Sequence, residues 1–228
     1  MADDDGRKWW LRAVRDLCRH PSALLLLVQL LEIVLYPLTE GTHAGRAMLG
    51  MVGVVVLVLA LRLIRFTHGR IWLASVLAVA AVGLNVAWLA TGDVALQPWQ
   101  AGLEALVYFY TAGCLITYML ADTRVAADEL FAAAATFSLL VWAFTEVLLL
   151  CQALQPWAFA GAAAVTEPRS WSELMFLSFA LMSSTGIGAV IPTTAAARAI
   201  ADLEMFTGVM YIALVVSRLI GLSVSERH

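Results

Sequence analysis

The segment from Trp171 to Pro192 constrains this chain more than any other. Its apolar part, Trp171 to Met182, is twelve residues long and lies between two longer apolar runs at 131–154 and 199–222. A helix needs about 20 apolar residues to cross a bilayer, so the two runs can span and the short piece cannot. The short piece leads into Ser183-Ser184-Thr185-Gly186-Ile187-Gly188-Ala189-Val190-Ile191-Pro192. Two glycines at i and i+2 behind a run of hydroxyl residues do not extend a helix. Non-helical backbone at membrane depth persists only where protein or water shields its polar groups. The expected structure is therefore a re-entrant helix over 171–182 and then a shielded loop.

Composition supports the membrane setting. Hydrophobic residues make up 62% of the chain, charged residues 14%, and the mean hydropathy is +0.85. These values exclude an ordinary soluble domain. Six spans are predicted, at 22–38, 48–66, 71–91, 101–121, 131–154 and 199–222. Basic residues set the orientation. Eleven fall on one side: Arg7, Lys8, Arg12, Arg15, Arg19, Arg62, Arg65, Arg70, Arg124, Arg218 and Arg227; only Arg46, Arg169 and Arg198 fall on the other. Both termini are thus expected in the cytoplasm, in a cell inner (plasma) membrane, with the glycine loop toward the outer face. No cleavable signal peptide is expected. Residues 7–20 place Trp10, Val14 and Leu17 at helical spacing among basic residues, the pattern of an interfacial helix that Pro21 separates from the first span. The three cysteines, Cys18, Cys114 and Cys151, have no metal-like spacing.

The stretch Ser184-Thr185-Gly186-Ile187-Gly188-Ala189 resembles the selectivity filter of the tetrameric potassium channels, with its T-V-G-Y-G-D signature. The resemblance covers roughly 131–222. Ser170 with Glu173 forms a capping-box pattern ahead of the short helix. Pro192 stands at the filter exit, with Thr193 and Thr194 placed to cap the last helix. Gly208 falls twenty residues after Gly188, where that family has its inner-helix hinge glycine. The resemblance implies an all-α integral membrane protein, with six transmembrane helices, a re-entrant pore helix and a homotetrameric pore. It implies three regions: a cytoplasmic interfacial helix over 1–21, a four-helix transmembrane domain over 22–124, and a pore domain over 125–228.

The same resemblance assigns roles. Thr185, Gly186, Ile187 and Gly188 would offer backbone carbonyls to a dehydrated monovalent cation, K+ foremost and Na+ second, and Ser184 would add a hydroxyl at the inner mouth. Gly208 would be the gating hinge. Ile187 stands in place of the family's tyrosine and Ala189 in place of its aspartate, while Phe176 and Leu177 occupy its aromatic-cuff positions. Weaker bracing and weaker potassium-over-sodium discrimination than in a Gly-Tyr-Gly-Asp filter are therefore expected.

The remaining polar residues narrow the function. The fourth span, 101–121, contains no Arg or Lys, so voltage sensing through the first four helices is not expected. Glu32, Glu104, Glu146 and Asn85 lie within predicted spans. Each is a functional group, a buried inter-helix hydrogen bond or, for the carboxylates, a protonated acid at the packing surface; Glu146 is placed to brace the pore module. There is no HExxH, Cys/His cluster, Walker loop or nucleophile elbow. The expectation is a non-enzyme without cofactors, nucleic-acid partner or small-molecule substrate, whose partners are the lipid bilayer and copies of itself. Alternatives are a weakly selective or non-conducting relative, or a transporter subunit or scaffold whose glycine loop only connects helices.

Overall fold

A computed structural model describes residues 21–39, 71–121, 127–161 and 168–225. Six α-helices run through them: α1 (Pro21–Thr39), α2 (Ile71–Thr91), α3 (Gln97–Ala121), α4 (Ala127–Leu154), α5 (Trp171–Met182) and α6 (Ala195–Ser225). A 3-10 turn at Val94–Leu96 joins α2 to α3. The chain is mostly helical, and Gln97–Leu120 and Asp128–Leu154 are long and apolar enough to cross a membrane by length and composition. The predicted span over 48–66 and the interfacial helix over 7–20 lie outside the described residues.

Helix α4 is the axis of the packing. Leu139, Val141, Trp142, Ala143 and Leu148 are all but completely buried on it, and α1, α3, α5 and α6 each lie against it. Aromatic pairs fix the approach of α3: Tyr108 meets Trp142 edge-on at 5.7 Å between centroids, and Phe109 meets Phe144 at 5.1 Å. Threonines inside these helices return their hydroxyls to carbonyls one turn back, as Thr136 does to Ala132 at 2.7 Å and Thr145 to Val141 at 2.8 Å. That arrangement lets a polar side chain sit in an apolar interior without an orphaned donor.

The polar residues predicted within spans find distinct partners. Asn85 of α2 and Gln100 of α3 donate to Glu104 at 3.0 and 3.1 Å. For Glu104 the structure thus gives a half-buried inter-helix hydrogen bond from Asn85. Gln29 of α1 donates to the Ala135 carbonyl of α4 at 3.4 Å. Glu32 is buried, and its Oε2 has no hydrogen-bond partner among the described residues.

The segment around α5 is tied down at both ends. Gln152 mimics a backbone strand: its amide donates to the Arg169 carbonyl at 3.0 Å and accepts from the Arg169 amide at 2.8 Å. Further along, β1 (Phe159–Ala160) pairs antiparallel with β2 (Ile191–Pro192), Phe159 opposite Pro192 and Ala160 opposite Ile191. Thr193 adds a hydroxyl bond to the Trp157 carbonyl and a backbone bond to Ala158 at 2.8 Å.

Candidate functional site

Helix α5 starts where the sequence says it should. Ser170 Oγ accepts from the Glu173 amide at 3.3 Å, and Glu173 Oε2 accepts from the Ser170 amide at 2.8 Å, a complete capping box. Glu173 also faces the Arg169 guanidinium at 3.6 Å. The first residue, Trp171, donates its indole N–H to Glu146 of α4 at 2.9 Å, and its ring stacks on Tyr36 of α1 at 4.8 Å. Glu146 thus braces the short helix, as its position predicted. Thr194 caps α6 by accepting from the Ala197 amide at 3.2 Å.

The end of α5 contains the unusual backbone. The Thr185 amide donates to Ala180 and the Ser184 amide to Leu181, both at 3.0 Å. These are the two bonds of a Schellman C-cap, a motif that places its turning residue in the left-handed region and normally uses glycine there. Here the turning residue is Ser184, with φ 58°. Gly186 is left-handed again at φ 64°, and Thr185 between them is not. The Gly186 amide also points back, 3.2 Å from the Ala180 carbonyl.

Alternating handedness turns successive peptide units so that their carbonyls can share one side. No described amide or side chain donates to the carbonyls of Thr185, Gly186, Ile187 or Gly188. All residues from Ser183 to Ala189 are exposed in the single chain. The carbonyls of residues 185–188 thus lack a described donor, just beyond a helix end whose own carbonyls carry partial negative charge.

The two glycines differ. At Gly186 a side chain would have open space but the wrong backbone handedness; at Gly188 an added Cβ would make only ordinary contacts within the chain. Gly208 is a third case. Helix α6 runs unbroken through it, and a Cβ placed there would collide with the Met182 backbone carbonyl at the end of α5. Gly208 lets the last helix touch the backbone immediately before the loop. The fold thus brings together two sites that the sequence gives as separate motifs.

Residues that sequence reasoning passed over complete the setting. Ser178 of α5 lies 2.8 Å from the Val141 carbonyl of α4 and is hydrogen-bonded to Glu204 of α6. Tyr211 of α6 donates to the Ala133 carbonyl of α4 at 2.6 Å. The sequence offers only a weak signal for Glu204, one of two carboxylates, with Asp202, near the start of the final apolar run.

The Ion_trans_2 family model, described as an ion channel, matches residues 105–223. No curated protein and no solved structure matches the chain. The matched stretch takes in more than half of the 228 residues and runs from α3 through α4, α5 and the glycine loop into α6. The capped short helix and the glycine loop lie within that stretch, and the chain belongs to the ion channel family.

Proposed function

We propose that four copies of this chain surround a central pore that passes monovalent cations passively, K+ foremost, along the backbone of Thr185, Gly186, Ile187 and Gly188, with the Ser184 hydroxyl at the inner mouth. The observation that carries this reading is the alternating handedness at Ser184 and Gly186, which leaves four consecutive carbonyls without a described protein donor. Such oxygens can replace the water shell of a cation. One loop supplies one side of a site, so a closed ring of copies is needed to encircle the ion. Exposed Phe176 of α5 and exposed Leu203, Phe206 and Met210 of α6 give the single chain apolar surface for neighbouring copies to cover.

In this reading 125–228 is the pore domain and 22–124 a membrane-embedded support for it. Both termini are cytoplasmic in the plasma membrane, and opening does not depend on voltage. Gly208 sets how closely the inner helix approaches the filter, and bending there gates it. Ion flux into liposomes under potassium or sodium gradients tests the proposal, together with the mass of the detergent-solubilised assembly. Flux with a fourfold mass supports it. A monomer or dimer passing no ion overturns it in favour of a scaffold or transporter subunit.

A further inference from the structure

Three oxygens stand in a row across α4, α5 and α6: the Val141 carbonyl, the Ser178 hydroxyl and one oxygen of Glu204. Both intervals are within hydrogen-bonding distance, the first at 2.8 Å. A carbonyl has no proton, a carboxylate none, and a serine hydroxyl one. Two close oxygen pairs need two protons. If Ser178 turns its proton to Glu204, the Val141 and Ser178 oxygens face each other lone pair to lone pair. If it turns to Val141, the same clash falls on Ser178 and an ionised Glu204. Thr145 also bonds the Val141 carbonyl, at 2.8 Å, so its proton is engaged there. The second proton has one remaining source, Glu204 as a neutral carboxylic acid. Its burial agrees: Glu204 is 0% exposed, its second oxygen has no hydrogen-bond partner among the described residues, and no described cation pairs with it. An ionised carboxylate there would be desolvated without compensation.

We infer that Glu204 is a proton-dependent positioning residue for the filter. As the neutral acid it donates to Ser178, and Ser178 donates to Val141. The two bonds clamp α5 between α4 and α6, six residues before Ser184. When the proton leaves, one hydroxyl faces two acceptors, one bond breaks, and α5 loses a lateral tie next to the loop it carries. Several other titratable groups on these helices are engaged or exposed, while Glu129 and Cys151 of α4 are buried. Glu146 accepts from Trp171, Glu173 closes the capping box, Arg198 bonds the Pro192 carbonyl, Tyr211 bonds the Ala133 carbonyl, and Asp202 is exposed. Among the described residues, no hydrogen bond or ion pair joins any of them to Glu204. Buried Glu32 and Glu146 can also hold protons, so the share that Glu204 carries is read as the difference between wild type and Glu204→Gln. The role in permeation rests on the pore reading above; the protonation of Glu204 does not.

The test uses the full chain in liposomes, with potassium flux measured as pH is raised equally on both sides. Wild type loses flux, by about tenfold per pH unit beyond the midpoint for control by one proton. Glu204→Gln carries a permanent donor, keeps its flux and loses the alkaline fall. Infrared difference spectra, wild type minus Glu204→Gln, show a protonated-carboxyl band that belongs to Glu204. A flat wild-type profile, or the same alkaline fall in Glu204→Gln, overturns the inference, and so does absence of the band. If Glu204→Gln does not assemble, Ser178→Ala replaces it: removing the acceptor must shift the band to higher frequency, and an unshifted band overturns the clamp. If no sample passes ions at any pH, the pore reading falls, while the band still decides whether Glu204 donates to Ser178.

Discussion

Ser184 shows how a single residue can carry the cost of a loop's shape. A left-handed conformation costs a side-chain-bearing residue about 1–2 kcal/mol, and a β-branched residue tolerates it worst. Ser184→Gly should therefore keep the turn without lowering the unfolding temperature, whereas Ser184→Val should destabilise by about 1–2 kcal/mol and displace the loop. Thermal unfolding in detergent, with flux on the same preparations, checks both. Gly208 makes the opposite argument, from space rather than from dihedral angle. The hinge role alone would leave folding untouched by Gly208→Ala. The contact with Met182 instead predicts that α5 and α6 must separate, at about 1–3 kcal/mol, with the strain delivered to the residues just before Ser184. Unfolding temperatures equal to wild type would show that the helices yield without cost.

Helix α5 is short, and its stability comes from its ends and flanks. Ser170→Ala removes the hydroxyl that accepts from Glu173 and should cost about 1 kcal/mol, with hydrogen exchange rising first in the opening turn of α5. Trp171→Phe keeps the ring's stacking on Tyr36 but takes the donor from buried Glu146, an expected loss of about 1–3 kcal/mol that Trp171→Phe combined with Glu146→Leu should largely restore. The extent of this element was legible in the sequence because length, capping box and glycine pair are all local signals. The predicted helix over 171–182 matches Trp171–Met182. The ends of the longer helices were less legible: α3 and α4 each begin four residues before the predicted 101 and 131, since polar first turns do not read as apolar span. Bracing by Ser178, Glu204 and Gln152 was not legible, because it joins residues 26 and 17 positions apart that only the packing of α4, α5 and α6 brings into contact. The Schellman turn was hidden for a chemical reason, a serine standing where glycine is the usual marker.

At the scale of the molecule as a whole, the selectivity expectation turns on what stands behind the loop. Ile187 is exposed and Ala189 is small, so neither ties the loop back to its own helix by a side-chain hydrogen bond. Bracing reaches α5 instead, through Trp171, Ser178 and their partners. Potassium should therefore be preferred over sodium, but less sharply than with a Gly-Tyr-Gly-Asp filter, and Ile187→Tyr with Ala189→Asp should widen the ratio. Reversal potentials in mixed potassium and sodium measure it, and an unchanged ratio would place the bracing elsewhere. Because 101–121 carries no basic residue, open probability should stay level across a voltage ramp; a steep response would mean that charge outside this helix moves through the field.

The two-residue strand pair has a practical consequence. Ala160 and Ile191 lie opposite each other, so the thirty residues between them leave and re-enter the protein at neighbouring points. Loop-closure entropy has already been met by the frame. The stretch from Gly161 to Val190 is thus a cassette with a common seam. An exchange of it for the equivalent stretch of another channel would keep the seam but must also supply the partners of Gln152, Glu146, Glu204 and Gly208 on the frame.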